Sequence, residues 1–474
     1  MRGWSNSWSQ RRNRVPSGQP LPTCCAAGHA FCMTGTPPVD QDGSRHRPSC
    51  DPPLLRLSVL GGLQVEPLET RSLDTADTDP SLAVPQVRAA LADASVQRTL
   101  AVLDRAAPAM TAGLVRLGAI ESPSGREHER AAEVLRRFRA LGIADVHMDS
   151  TPNVIARIPG RSGRAIVFVS TLDDLASIPP LQRAAGRPPY VDGDRVVGPG
   201  TNTSATTEAM LAAAQAYIAS GKQPLHDLVF AAVAQEETGL VGMNALYAAY
   251  RDRALSFVDI LGDGRSITYG ALGIHWWRVV ARGPGGHSLG GGTPNVNQAI
   301  GRAVDRILSL PQPPASDNPR RTILNVAMLQ SGAVFNHKPD SGWFSVDIRS
   351  LDADAIAANE AAVRGILDDV SRETGLSLTM QPVSRTPGGQ IAGADTSLLV
   401  RASVAIGESL GLSPRLGNAG SANLNVAIGG GTFAIGLGGE RGGARGQPGE
   451  FADIPAMVRT ATHVFLLAVV MGDA

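Results

Sequence analysis

The chain has 474 residues, enough for two or three domains with sizeable cores. Lysine plus arginine equals aspartate plus glutamate, 43 of each, so there is no net basic field to attract nucleic acid or an anionic membrane. All four cysteines, Cys24, Cys25, Cys32 and Cys50, fall in the first 50 residues, so neither disulfides nor a thiol nucleophile serve the main body.

Those cysteines, with His29 and His46 close by, do not form the paired C-x-x-C units of a zinc module. The basic opening MRGWSNSWSQRRNRVPSGQP leads into no apolar h-region, so no signal peptide is read and a cytoplasmic location is expected. Residues 1–95 are rich in Pro, Ser, Asp and Arg. They are expected to be disordered, or an over-extended translation start with Met33 as the alternative. No stretch reads as a membrane span; the apolar run HVFLLAVVM near the end is short and follows Arg459.

Order is expected from residue 96. ASVQRTLAVLDRAAPAMTAGLVRLGAI reads as one helix, and ESPSGREHERAAEVLRRFRALG as a turn and a second helix. In the latter Ala131, Val134, Leu135, Phe138 and Leu141 recur at helical spacing before Gly142. NVIARIPG and AIVFVSTLDD read as strands, the second apolar throughout and suited to a central position. SATTEAMLAAAQAYIASG is a helix, HDLVFAAVAQEE a strand, LVGMNALYAAYRD a helix and FVDILGDG a strand. This alternation predicts an α/β fold with a mostly parallel sheet and flanking helices, first part 96–272.

From residue 273 to 385 the pattern changes. HWWRVVARGPGGHS, TILNVAMLQSG, GWFSVDIRS and LSLTMQPV read as strands around the helices NVNQAIGRAVDRILSL and DADAIAANEAAVRGILDDVSRETG, which predicts a small α+β domain inserted into the first. Residues 386–474 resume the main domain with the helix SLLVRASVAIGESLG, the strand GTFAIGLGG and a helix from Pro455.

One stretch poses a charge problem. In AVAQEETGLVG, residues 232–242, a buried strand ends in two adjacent carboxylates, Glu236 and Glu237, at the edge where open α/β sheets hold ligands. Adjacent anions leaving a buried strand need a cation, a shared proton or water.

The order of short motifs is similar to that of the zinc exopeptidase and deacylase family, which includes peptidase T, glutamate carboxypeptidase, acetylornithine deacetylase and aminoacylase. The motifs are ESPSGREHERAAEVL, NVIARIPG, FVSTLDDL, GPGTNTSATTEAM, AQEETGLVG, DILGDG, RGPGGHSLGGGTPN, AVFNHKPD, SVDIRS, GSANLN and GEFADI. The resemblance covers residues 98–474 and implies a metal-binding α/β domain carrying an inserted lid, usually a dimerisation domain. By that resemblance Glu236 is the general base, Glu237 and Asp263 are metal ligands, and His287 is the lid histidine that helps hold the developing oxyanion. Asn336 matches the lid asparagine that lines the substrate pocket, and Asp173 the aspartate of the first-ligand motif. Arg349, at the end of the strand FSVDIRS, either holds a substrate carboxylate or makes a structural salt bridge.

The departures fall on the metal. Where the family has its first ligand histidine this chain has Thr171; where it has the bridging aspartate, Thr203; where it has the last ligand histidine, Gly446. Ala205 stands for a lysine and Asn423 for an aspartate. Only Glu237 and Asp263 remain of the implied ligands, so a zinc pair is not expected, and a single divalent ion or no metal is. Without metal, Asp173, Glu236, Glu237 and Asp263 would share protons, unless Arg445, Arg441 or His275 reached in.

The expected activity is therefore hydrolysis of amide or peptide bonds in small peptidic or N-acylated substrates, with Glu236 as general base and atypical or absent metal. The alternative is a non-catalytic homologue that binds a peptide or amino-acid-like ligand in the old cleft; metal-free lyase or isomerase chemistry is a third reading. A homodimer through the lid is implied by the resemblance.

Overall fold

The computed structural model describes residues 79–174, 188–312, 320–447 and 449–473. The cysteines and most of the segment expected to be disordered lie outside the described residues. Order nevertheless begins earlier than residue 96. Helix α1, Ala83–Ala92, turns Ala83, Val87 and Ala90 into the main core, where they are buried. The expected helix over 94–120 is two helices, α2, Ala94–Leu103, and α3, Ala107–Ala119. Pro108 sits in the first turn of α3, where its missing N–H costs nothing, and it ends the preceding run.

Helix α4 spans His128–Ala140 and stops before Gly142, which takes a left-handed φ of 81°. The main sheet has eight strands in the order 145–148, 154–158, 227–233, 165–171, 254–260, 434–438, 266–268, 415–417. The strands Ala165–Thr171 and Asp227–Val233 are parallel and buried at every residue, as their unbroken apolar sequences require. Phe168 and Phe230 stack across them at 5.2 Å.

Helix α5, Thr201–Ser220, is buried on nearly all sides, wedged between the sheet and other helices, with polar residues through its first two turns and alanine-rich ones after them. It starts and ends at left-handed glycines, Gly200 and Gly221. Helix α6, Val241–Tyr250, covers the other face.

The lid sheet follows, running from Gly273 to Thr386. Its antiparallel order is 323–325, 341–350, 273–282, 377–386, with 329–331 also paired to 341–350. Ser341–Ser350 alternates buried and half-buried residues along its length, the signature of a sheet with one covered face. Helices α7, Val296–Leu308, and α8, Ala353–Thr374, cover that face through Ile300, Ile307, Val363 and Leu367.

Helices α9, Leu398–Ser409, α10, Leu424–Gly429, and α11, Ile454–Gly472, complete the main domain. Among the described residues α11 is the one helix long and apolar enough to cross a membrane; 78% of its apolar window is buried inside this chain. The terminal apolar run is thus longer than the sequence reading allowed. Its partners are the helices and sheet of its own core.

Candidate active site

The site forms at the carboxyl edge of the main sheet, where the strand Asp227–Val233 runs out into Ala234, Gln235, Glu236 and Glu237. The turn is held from several sides. Asn153 accepts the Ala234 N–H with Oδ1 at 3.0 Å and donates from Nδ2 to the Gly242 carbonyl at 2.9 Å, spanning the turn's two ends. Gln235 takes a left-handed φ of 54°, uncommon for a residue with a Cβ, and its N–H donates to Glu127 Oε1 at 3.1 Å.

Asp173 fixes the pair itself. Its Oδ1 accepts the Glu236 N–H at 2.9 Å, and its Oδ2 accepts the Glu237 N–H at 3.1 Å and the Ser124 hydroxyl at 2.5 Å. Asp173 is fully buried, and that burial pushes its carboxyl up from the ordinary range despite these donors. Beneath it the buried Arg130 donates to the Leu172 carbonyl at 2.8 Å and the Ile120 carbonyl at 2.5 Å, with Asp174 Oδ2 at 3.4 Å.

Burial pushes Glu236 well above the usual carboxylate range, and the neighbouring Glu237 charge adds to it. Glu237 is raised by burial as well. The cation comes from the loop between the strand Ala434–Gly438 and α11. Arg445 ion-pairs with Glu237, and the same Nη2 lies 4.0 Å from Glu236 Oε2. Arg441, on the same loop, is lowered to about 10, first by desolvation and then by the charge of Arg445; Glu236, Glu237 and Asp259 all act on it from the cleft. The loop is shaped by left-handed Gly439, Gly442, Gly446 and Gly449. A Cβ on Gly442 would fall 2.1 Å from the Phe451 carbonyl oxygen, so that position admits no side chain.

Glu450 ties this loop to the start of α5. Its Oε2 accepts the Gly446 N–H at 2.9 Å and its Oε1 the Asn202 N–H at 3.1 Å. On α5 the buried Thr203 hydroxyl has no hydrogen-bond partner among the described residues. Thr171 Oγ1 accepts from Asn423 Nδ2 at 3.1 Å, and that amide also reaches Asp259 Oδ1 at 3.3 Å.

The remaining residues singled out in the sequence lie elsewhere. Asp263 is fully buried and spends its carboxylate on Arg459 Nε at 3.0 Å, Arg265 Nε at 3.1 Å and the Glu440 N–H at 3.1 Å. The aspartates whose charges act on Glu236 are Asp173 and, after it, Asp259, which lies four residues before Asp263 and inside the strand. His287 and Asn336 meet in the lid, Nδ2 to Nε2 at 3.0 Å, brought together by pairing of Gly286–His287 with His337–Lys338, and both are exposed. Arg349 donates to both oxygens of Asp347 from the same strand. His275 pairs with Glu360 at 2.6 Å in the lid and does not serve the carboxylate pair. Sequence reasoning missed Asn153, Glu127 and Glu450 as organisers; each lies inside a quoted motif, but its partner is remote in the chain.

Residues 153–268 match the model of peptidase family M28, and residues 269–375 match that of the peptidase dimerisation domain. The fold matches aminopeptidase PepT from Bacillus cereus ATCC 10987 at a TM-score of 0.64 with 20% identity, over 76% of this chain and 98% of that one. It matches a tripeptidase from Staphylococcus aureus at 0.64 with 18% identity, over 77% and 98%. Human carnosine dipeptidase 1 matches at 0.61 with 14% identity, over 80% and 99%. At these identities the structures establish the fold. No curated protein matches the chain in sequence. Together these define the class as a peptidase-type α/β domain with an inserted peptidase dimerisation domain.

Proposed function

We propose that this chain hydrolyses amide or peptide bonds of small peptidic or N-acylated substrates, with Glu236 as general base and the guanidinium groups of Arg441 and Arg445 supplying the positive charge of the site. The observation that carries the reading is the Glu236–Glu237 pair, held from behind by Asp173 and met from in front by Arg445.

The family's zinc pair does not fit these residues. Two zinc ions need a bridging carboxylate and imidazole or carboxylate donors on each ion. Thr171 and Thr203 offer neutral hydroxyls, Gly446 offers no side chain, and Glu237 is already engaged by Arg445. Thr171 Oγ1 is taken by Asn423, and the Asp173 oxygens by Ser124 and two backbone N–H groups.

In the proposed step, Glu236 takes a proton from water as the water oxygen attacks the scissile carbonyl. The oxyanion so formed faces the guanidinium groups, which spread positive charge where negative charge develops. Collapse breaks the C–N bond, and the Glu236 carboxyl returns its proton to the departing amine. A buried carboxylate with a raised pKa is a stronger base than an exposed one, which suits it to this task at neutral pH. Glu237, paired to Arg445, holds that cation in place.

The alternative, a non-catalytic homologue holding a peptide or amino-acid-like ligand, draws on the same Arg445–Glu237 pair, since a cation committed to a carboxylate is also a fixed ligand anchor. The two separate on one experiment: hydrolysis of a panel of dipeptides and N-acyl amino acids by wild type and Glu236→Gln. We also assign homodimerisation to the lid domain, which light scattering of the full chain and of a chain lacking residues 273–385 tests.

A further inference from the structure

Away from the carboxyl edge of the sheet, helices α2, α3 and α5 line a pocket of about 620 Å³ that opens to solvent. That volume is in the usual range for a small-molecule site. Its walls are mixed: Leu103 and Met110 from the α2–α3 region and Ala212 and Ala216 from α5 give it an apolar floor, beside polar Thr99 and Gln215. Its charged lining is one-sided, with four arginines, Arg98, Arg105, Arg116 and Arg137, against one glutamate, Glu208.

That glutamate is already neutralised. Arg137 donates to both Glu208 oxygens, 2.8 Å for Nη2 to Oε1, and Glu208 is only 2% exposed. Room for the pair is made by Gly113 on α3, where a Cβ would fall 2.3 Å from Glu208 Oε1. Among the described residues Arg98, Arg105 and Arg116 make no ion pair, and all three are exposed at the cavity's edge. The charge of Arg116 acts on Glu208 and Glu133, whereas Arg98 and Arg105 form no ion pair among the described residues. A pocket with an apolar floor, a buried ion-paired glutamate and an excess of exposed guanidinium groups at its edge calls for a ligand with an apolar body and an anionic head.

We propose that this cavity is a second ligand site, separate from the carboxylate pair, for a small amphiphile with an alkyl or aryl body and a carboxylate or phosphate head. Helix α5 joins the two sites. Its first turn carries Asn202 and Thr203 at the active-site loop, and Ala212 and Ala216 line the cavity. Thirteen residues separate Thr203 from Ala216, roughly 20 Å along a helix axis.

The test is calorimetric titration of the full chain with octanoate, octyl phosphate and octanol. Two variants accompany wild type: Arg98→Glu with Arg105→Glu, both at exposed positions that folding tolerates, and Ala219→Trp, which fills the cavity from an exposed helix position. The proposal expects saturable binding of at least one octyl anion to wild type, weakened about tenfold or more by the charge reversal, and blocked by the tryptophan. Octanoate and octyl phosphate, compared directly, distinguish a carboxylate from a phosphate head. Circular dichroism confirms that each variant folds. The proposal is overturned if neither anion binds wild type, if octanol binds as tightly as both anions, or if binding is unchanged in both folded variants.

Discussion

The guanidinium of Arg445 lies on the carboxylate of Glu237, 208 residues away in sequence, and within 4.0 Å of Glu236 as well. This contact resolves the charge problem that the sequence poses at the end of the strand Asp227–Val233. Two carboxylates leave a buried strand, and a loop near the far end of the chain returns a cation to meet them.

Arg445→Ala should therefore destabilise the fold at neutral pH by about 1–3 kcal/mol, less than for a fully buried pair because Arg445 is partly open to water. Much of that loss should vanish when Glu237→Gln is made in the same chain. A double-mutant cycle in denaturant measures the coupling, and strict additivity of the two losses would contradict the pairing.

Asp173→Ala should cost about 2–4 kcal/mol, because it strips the acceptor from two backbone N–H groups and a buried hydroxyl at once. Hydrogen exchange at Glu236 and Glu237 checks it directly. Both amides should lose protection in the variant, while those of the strand Ala165–Thr171 keep theirs.

Asp259 gives a pH signature. Its carboxyl is raised from 3.8 to about 6, chiefly by complete burial. A raised folded value means that its contribution to stability is complete below the unfolded pKa and is lost as pH rises towards about 6. Between pH 4 and pH 7 this amounts to about 2 kcal/mol. Asp259→Asn should remove that dependence, gaining on wild type as pH rises. Parallel denaturation curves for the two chains across that range would show the effect to be absent.

Gly113→Ala should destabilise by about 1–3 kcal/mol, since the added methyl meets the Glu208 carboxylate and cannot be relieved without moving Arg137. Thermal unfolding of the variant reads this out. The same change at Gly365, an exposed position inside α8 where an added Cβ meets nothing within 4 Å, is the control and should stabilise by about 0.5–1 kcal/mol through helix propensity.

Much of this was legible before the fold was known. Continuous apolar runs marked the central strands, and 3.6-residue periodicity marked α4 and α7, because burial on one face writes itself directly into local sequence. Short edge strands such as Asp145–Met148 were not legible, since their pairing with Val154–Ile158 supplies what their composition lacks. Helix α1 was hidden by a polar neighbourhood that says nothing of the core Val87 enters.

Within the site, the Glu236–Glu237 pair and Asp173 came from motif order, and Arg445 was one of three basic candidates. Asp259 was missed because the D-G pair at Asp263 is the stronger local signal, whereas the partner of Asp259, Asn423, lies 164 residues away. Contacts that distant leave no periodicity and no turn chemistry to read.

The measurement that bears most directly on the central claim is hydrolysis of a panel of dipeptides and N-acyl amino acids by wild type and Glu236→Gln, each with and without a strong chelator. The account predicts turnover of at least one substrate that persists under chelation and falls by ~10²–10⁴-fold in the variant, with its fold intact. Turnover that survives Glu236→Gln, or that chelation abolishes and zinc restores, would contradict it, as would a panel in which compounds bind the cleft and none is cleaved.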